Sequence, residues 1–169
     1  DRWVDFDSLD VINDGRVFVA TTGYYDGNNK NHIVHVFDTS GNLLHEQIFL
    51  VNGSVYGLAV SDEGVAYVQS FFWAGHRLRE IDFNNPHPDD GSFPAYEGQN
   101  NRYRGLGIDS SGNLLLGHYF NDKIVVYDTS TAITPDSYYT SLQYLREFGT
   151  TGTGVLGQFQ DISDVTSDS

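Results

Sequence analysis

A hairpin is written three times along this chain. SLDVINDGRVFVA from Ser8, GLAVSDEGVAYVQ from Gly57 and GLGIDSSGNLLLG from Gly105 each hold an alternating apolar run, an acidic or serine-rich turn ending in glycine, and a second alternating run. Period-two alternation broken by a glycine turn is the pattern of two antiparallel strands. The turn glycines Gly15, Gly64 and Gly112 are nearly evenly spaced, at an interval in the range of a four-stranded propeller blade. Such a repeat constrains the chain more than any single residue does. One unit cannot bury its own faces and must stack on copies of itself.

Each hairpin is followed by a third run ending in or next to an aspartate: HIVHVFD to Asp38, RLREIDF with Asp82, and KIVVYD to Asp128. Fourth runs come next, as in NLLHEQIFL and LQYLREFG. The expected fold class is therefore all-β: a β-propeller built of four-stranded antiparallel blades, with about three blades plus the start of a fourth in residues 1–169. The repeats are expected at approximately 5–52, 53–100 and 101–160, with 161–169 starting a next blade. Asp38, Asp82 and Asp128 recur at one repeat position, where a short carboxylate caps a turn by accepting backbone amides.

Asn31-His32 before IVHVFD, His76-Arg77-Leu78 before REIDF, and Asn121-Asp122-Lys123-Ile124 before VVYD resemble the signature of NHL-repeat β-propellers. The tail FGTTGTGVLGQFQDISDVTSDS resembles the family's junction between blades. The resemblance covers nearly the whole chain and implies a propeller, six-bladed in type. It leaves activity open, since such propellers serve as binding scaffolds, lyases and assembly modules. Within it, His32 and His76 are expected to stabilise turns. An arc of three blades leaves strand edges open, so the ring is expected to be completed by copies of the chain or by a larger parent chain.

Composition narrows the partners. The formal net charge is -14 with only nine Lys and Arg, which argues against nucleic acid, whose recognition draws on clustered basic residues. Asp outweighs Glu, as suits turns rather than helices. Cysteine is absent, so there is no disulfide framework and no thiolate metal site. No apolar run reaches the roughly 18 residues a helical membrane span needs. Met is absent even at position 1, so the chain is expected to be processed or part of something longer. Asn52-Gly53-Ser54 is a glycosylation sequon, and with the acidic surface it sets an expectation of an extracellular or cell-surface location.

The segments after the second strands carry aromatic clusters: Tyr24 and Tyr25, Phe71, Phe72 and Trp73, Tyr119 and Phe120. Three successive rings cannot all face one core from a strand, because neighbouring side chains point to opposite sides. Packing between blades accounts for most of them. Trp73, with Tyr25 and Tyr119, is the expected contact with a sugar or a protein, flat apolar rings with a polar edge serving both. The expected binding residues are Tyr24, Tyr25, Phe72, Trp73, His76, His118, Tyr119 and Phe120.

The expected function is thus a non-catalytic recognition or assembly module for a protein or glycan. Two alternatives stand beside it: a metal-dependent lyase or lactonase, and a structural subunit that polymerises through strand edges. His76 and His118 would be two imidazole ligands for zinc, but spacing sets no third. Asp26 with Asn28 and Asn29, and Asp89-Asp90-Gly91-Ser92, are oxygen-rich but lack the spacing of a calcium loop. No cofactor is expected. Nucleophile elbows and phosphate loops are not visible.

Overall fold

The computed structural model describes residues 4–24, 30–50, 53–72, 75–84, 95–98, 103–118, 122–130, 143–152, 158–159 and 165. Three four-stranded antiparallel sheets follow one another, each laid down in chain order. The first holds β1 (Val4–Val11), β2 (Val17–Tyr24), β3 (Lys30–Phe37) and β4 (Leu43–Leu50). The second holds β5 (Gly53–Val60), β6 (Val65–Phe72), β7 (Gly75–Asp82) and β8 (Ala95–Gly98). The third holds β9 (Tyr103–Ile108), β10 (Leu114–His118), β11 (Lys123–Asp128) and β12 (Gln143–Phe148). Beyond them, β13 (Thr150–Thr151) pairs parallel with β14 (Gln158–Phe159). There is no helix among the described residues.

The glycine turns set the hairpins. Gly15, Gly64 and Gly112 have φ of 86°, 86° and 81°, a left-handed conformation that a side chain disfavours. Their amides donate to the carbonyls of Ile12, Ser61 and Asp109 at 2.9, 2.8 and 2.8 Å, closing the same turn three times. The repeated aspartates cap as expected. Ser40 N and Asn42 N donate to Asp38 Oδ1, both at 2.8 Å, and Ser130 N donates to Asp128 Oδ1 at 2.7 Å. Asn84 N donates to Asp82 Oδ1 at 2.9 Å. One expectation changes. His32 and His76 do not sit in turns but inside β3 and β7, paired with Thr22 and Phe49 and with Phe71 and Gly98. Pairing extends back over them because each ladder bond formed there satisfies backbone groups that a turn would leave to solvent.

Alternation along the strands assigns one face of each sheet to each neighbour. Phe18, Val34 and Val36 of the first sheet meet Val55, Leu58 and Val68 of the second in one buried cluster. Ala59, Tyr67 and Leu78, on the opposite face of the second sheet, meet Leu106, Leu114 and Val125 of the third. The first strands are neighbours in space, with β5 in contact with both β1 and β9. Sheets stacked face to face around adjacent first strands are propeller blades.

Candidate functional site

The C-terminal ends of β1, β5 and β9, with the turns that follow them, enclose a cavity of about 350 Å³. Its wall alternates apolar residues such as Leu58, Leu106 and Ile108 with polar ones, notably Asp10, Asn13, Asp62 and Asp109. That volume suits a small molecule. The polar groups, however, are already committed within the chain. Asp10 accepts Val11 N at 2.8 Å and, across the seam, Val60 N at 2.7 Å. Asp62 accepts Asn13 N at 3.2 Å and Asn13 Nδ2 at 2.6 Å, which ties the first turn to the second. Asp109 accepts Ser111 N at 3.0 Å and Asn113 N at 2.9 Å within its own turn. Asp10 and Asp62 thus staple the first blade to the second, while Asp109 caps its own turn. No group of three or more metal-ligating side chains occurs among the described residues.

Sequence reasoning did not single out these staples, although a signal was present. Asn13, Asp62 and Ser110 each stand two residues before a turn glycine. A small polar residue repeated at that place is positioned to reach the adjacent turn.

Burial pushes the Asp10 carboxyl above its ordinary value, two backbone donors offset part of that, and the nearby Asp62 charge adds to the rise. The fold therefore binds the Asp10 proton more tightly than the unfolded chain does, and this group's contribution falls as pH rises from 3.8 through its raised value. Asp38, Asp109 and Asp128 behave in the opposite sense. Hydrogen bonds from their turns hold them below 3.8, so their contribution is lost as pH falls below that value. Asp10→Asn is expected to flatten the decline of stability as pH rises above 3.8 while leaving the acid limb unchanged. Urea midpoints measured at a series of pH values above 3.8 check it, and an unchanged slope for the variant would refute the assignment.

His118, the last residue of β10, is buried, and strand alternation puts it on the face of Leu114 and Leu116. Burial pushes its imidazole below the ordinary value, with the Lys123 charge acting in the same direction, so the neutral ring is favoured. Tyr24, Phe72 and His76 lie in β2, β6 and β7, with only their backbones described. Tyr25, Trp73, Tyr119, Phe120 and Asn52 lie outside the described residues, as do the oxygen-rich segments around Asp26 and Asp89.

The strands nevertheless fix the ends. All three first turns line one cavity, so β1, β5 and β9 run in the same direction. Reversal at each turn then brings β2, β6 and β10 to an end together at the opposite face, with Tyr24, Phe72 and His118 as their last residues. Three blades with a stapled end and a second end formed by the termini of these strands define the chain as a β-propeller assembly.

No family model matches the chain, and no curated protein matches it in sequence. Among solved structures it is similar to a protein of unknown function from Bacteroides caccae, with a TM-score of 0.58 at 13% identity, over 85% of this chain and 46% of that one. A selenomethionine-substituted virginiamycin B lyase from Staphylococcus aureus overlaps at a TM-score of 0.44 and 11% identity, over 79% of this chain and 59% of that chain. Cobalt-substituted Synechocystis ACO overlaps at 0.40 and 10% identity, over 79% of this chain and 31% of that one. The chain thus spans about half the length of the Bacteroides caccae protein and less than two thirds of the other two.

Proposed function

We infer that this chain is a non-catalytic recognition module of the NHL-repeat type, which binds a glycan or a protein at the face where β2, β6 and β10 end. One observation carries the reading: three equivalent strands end together, and each end is bordered in sequence by an aromatic cluster. Tyr25, Trp73 and Tyr119 are the residues proposed to stack on the ligand, since flat rings bind sugar faces and protein side chains alike. The opposite end supports the same reading from the other side. Asp10 and Asp62 there are engaged in joining the first two blades and Asp109 in capping its own turn, which leaves the aromatic end to meet partners. An extracellular or cell-surface setting, with a glycan at Asn52, is part of the proposal.

The test uses the two tryptophans, Trp3 and Trp73. A Trp3→Phe variant reports on Trp73 alone, and its fluorescence is followed during titration with a panel of soluble polysaccharides and oligosaccharides. Saturable quenching by one of them, lost in Trp73→Ala while the unfolding midpoint stays put, is the expected result. Global unfolding of Trp73→Ala would make the ring a packing element and remove the proposed contact. About one zinc per chain by elemental analysis, lost in His118→Ala, would replace this reading with the lyase one.

A further inference from the structure

The ladder between the first two strands of every blade slips once, at the same place. The slip falls between Phe6 and Ser8 in β1, between Val55 and Gly57 in β5, and between Leu116 and His118 in the pairing of β10 with β9. Asp7 and Tyr56 are the extra residues of the first two bulges, and Arg104 holds the corresponding position in the third. All three stand eight residues before a turn glycine. A bulge leaves its extra residue out of the ladder and re-aims that side chain.

Asn13 and Asp62, each two residues before a turn glycine, are bonded to each other, which keeps β1 and β5 in matching register and brings Asp7 and Tyr56 level. That level lies near the aromatic end. Thr22, two residues before the end of β2, donates its hydroxyl to Asp7 Oδ2 at 2.6 Å. Ser70, two residues before the end of β6, pairs with Val55 beside Tyr56.

Tyr56 is 39% exposed, although Val55 and Leu58 on either side of it are each 5%. Its strand has β1 on one side and β9 on the other, so this opening belongs to the inner edge of the blades and does not depend on what lies beyond the first or third sheet. A half-buried carboxylate oriented by a buried hydroxyl, level with an exposed phenol ring, suits a sugar. The carboxylate accepts several hydroxyl donors at once, and the ring covers the apolar C–H face. A neutral sugar also avoids the repulsion that an acidic ligand meets on a chain of net charge -14.

We propose that the ligand is a neutral saccharide, and that Asp7 and Tyr56 form the floor of its site at the inner edge, Asp7 accepting sugar hydroxyls and Tyr56 stacking on a ring. The proposal rests on the recognition reading and adds to it the ligand class and these two contacts.

Calorimetric titration of the full chain with cello-, xylo-, manno- and malto-oligosaccharides tests it. One of them is expected to bind, and Asp7→Asn and Tyr56→Ala are each expected to weaken it at least about tenfold, as loss of a bond to a charged acceptor or of a stacked ring does. Tyr56→Phe, which keeps the ring, is expected to retain most of the affinity. The unfolding midpoint of Tyr56→Ala should stay put because the ring is exposed, so this variant decides even where Asp7→Asn perturbs the Thr22 contact. Binding that is lost in Trp73→Ala but untouched by Tyr56→Ala and Asp7→Asn overturns the proposal and leaves the recognition reading standing. Binding of none of the oligosaccharides overturns it as well, and leaves a protein as the ligand of that reading.

Discussion

Truncation of Phe18 to alanine is expected to cost about 3–5 kcal/mol of folding stability, the range for loss of a buried large aromatic. Phe18 is fully buried at the seam between the first two blades. Its ring meets Phe83 of the second blade edge-on at 5.4 Å between centroids, and the Arg16 guanidinium lies 5.6 Å from its centre. The truncation therefore removes transfer energy, an aromatic pair and a cation contact together, and strands on both sides hold the cavity open. Urea unfolding followed by far-ultraviolet circular dichroism measures it. A loss under about 1 kcal/mol would mean that the seam collapses around the gap, contrary to close packing.

Leu114→Ala is the corresponding change at the second seam, with an expected cost of about 2–5 kcal/mol. Leu114 is fully buried among residues of the second and third blades. Since it and Phe18 belong to different clusters, the two costs are expected to add within about 0.5 kcal/mol in the double variant. Each single variant should still unfold in one transition, because β5 contacts both β1 and β9 and links the seams. Two resolved transitions in either variant would show blades melting separately, as weakly coupled repeats do.

Much of the fold was legible in the chain itself. Alternation at Val17–Tyr24 or Val65–Phe72 is dictated by the period of a strand, and the turn glycines announce where the chain must adopt positive φ. The caps at Asp38, Asp82 and Asp128 were legible for the same local reason, since each carboxylate bonds amides within a few residues of itself. The place of His32 and His76 was not. Whether a residue ends a turn or begins a strand depends on the partner strand, and Phe49 and Gly98 supply that pairing from well along the chain.

The sequence alone determined the strand order, the hairpin turns, the blade repeat and the exclusion of thiolate chemistry, because these follow from residue type and short-range spacing. Only the tertiary structure decided which faces meet and which carboxylates are engaged. Asp10 is separated from Val60, and Asn13 from Asp62, by a whole blade of sequence, and no local pattern encodes a hydrogen bond across that gap. The same holds for the face that carries Leu9 and Val11. Its exposure is a property of how three sheets stack, because a period-two pattern says that one face is apolar without saying what lies against it.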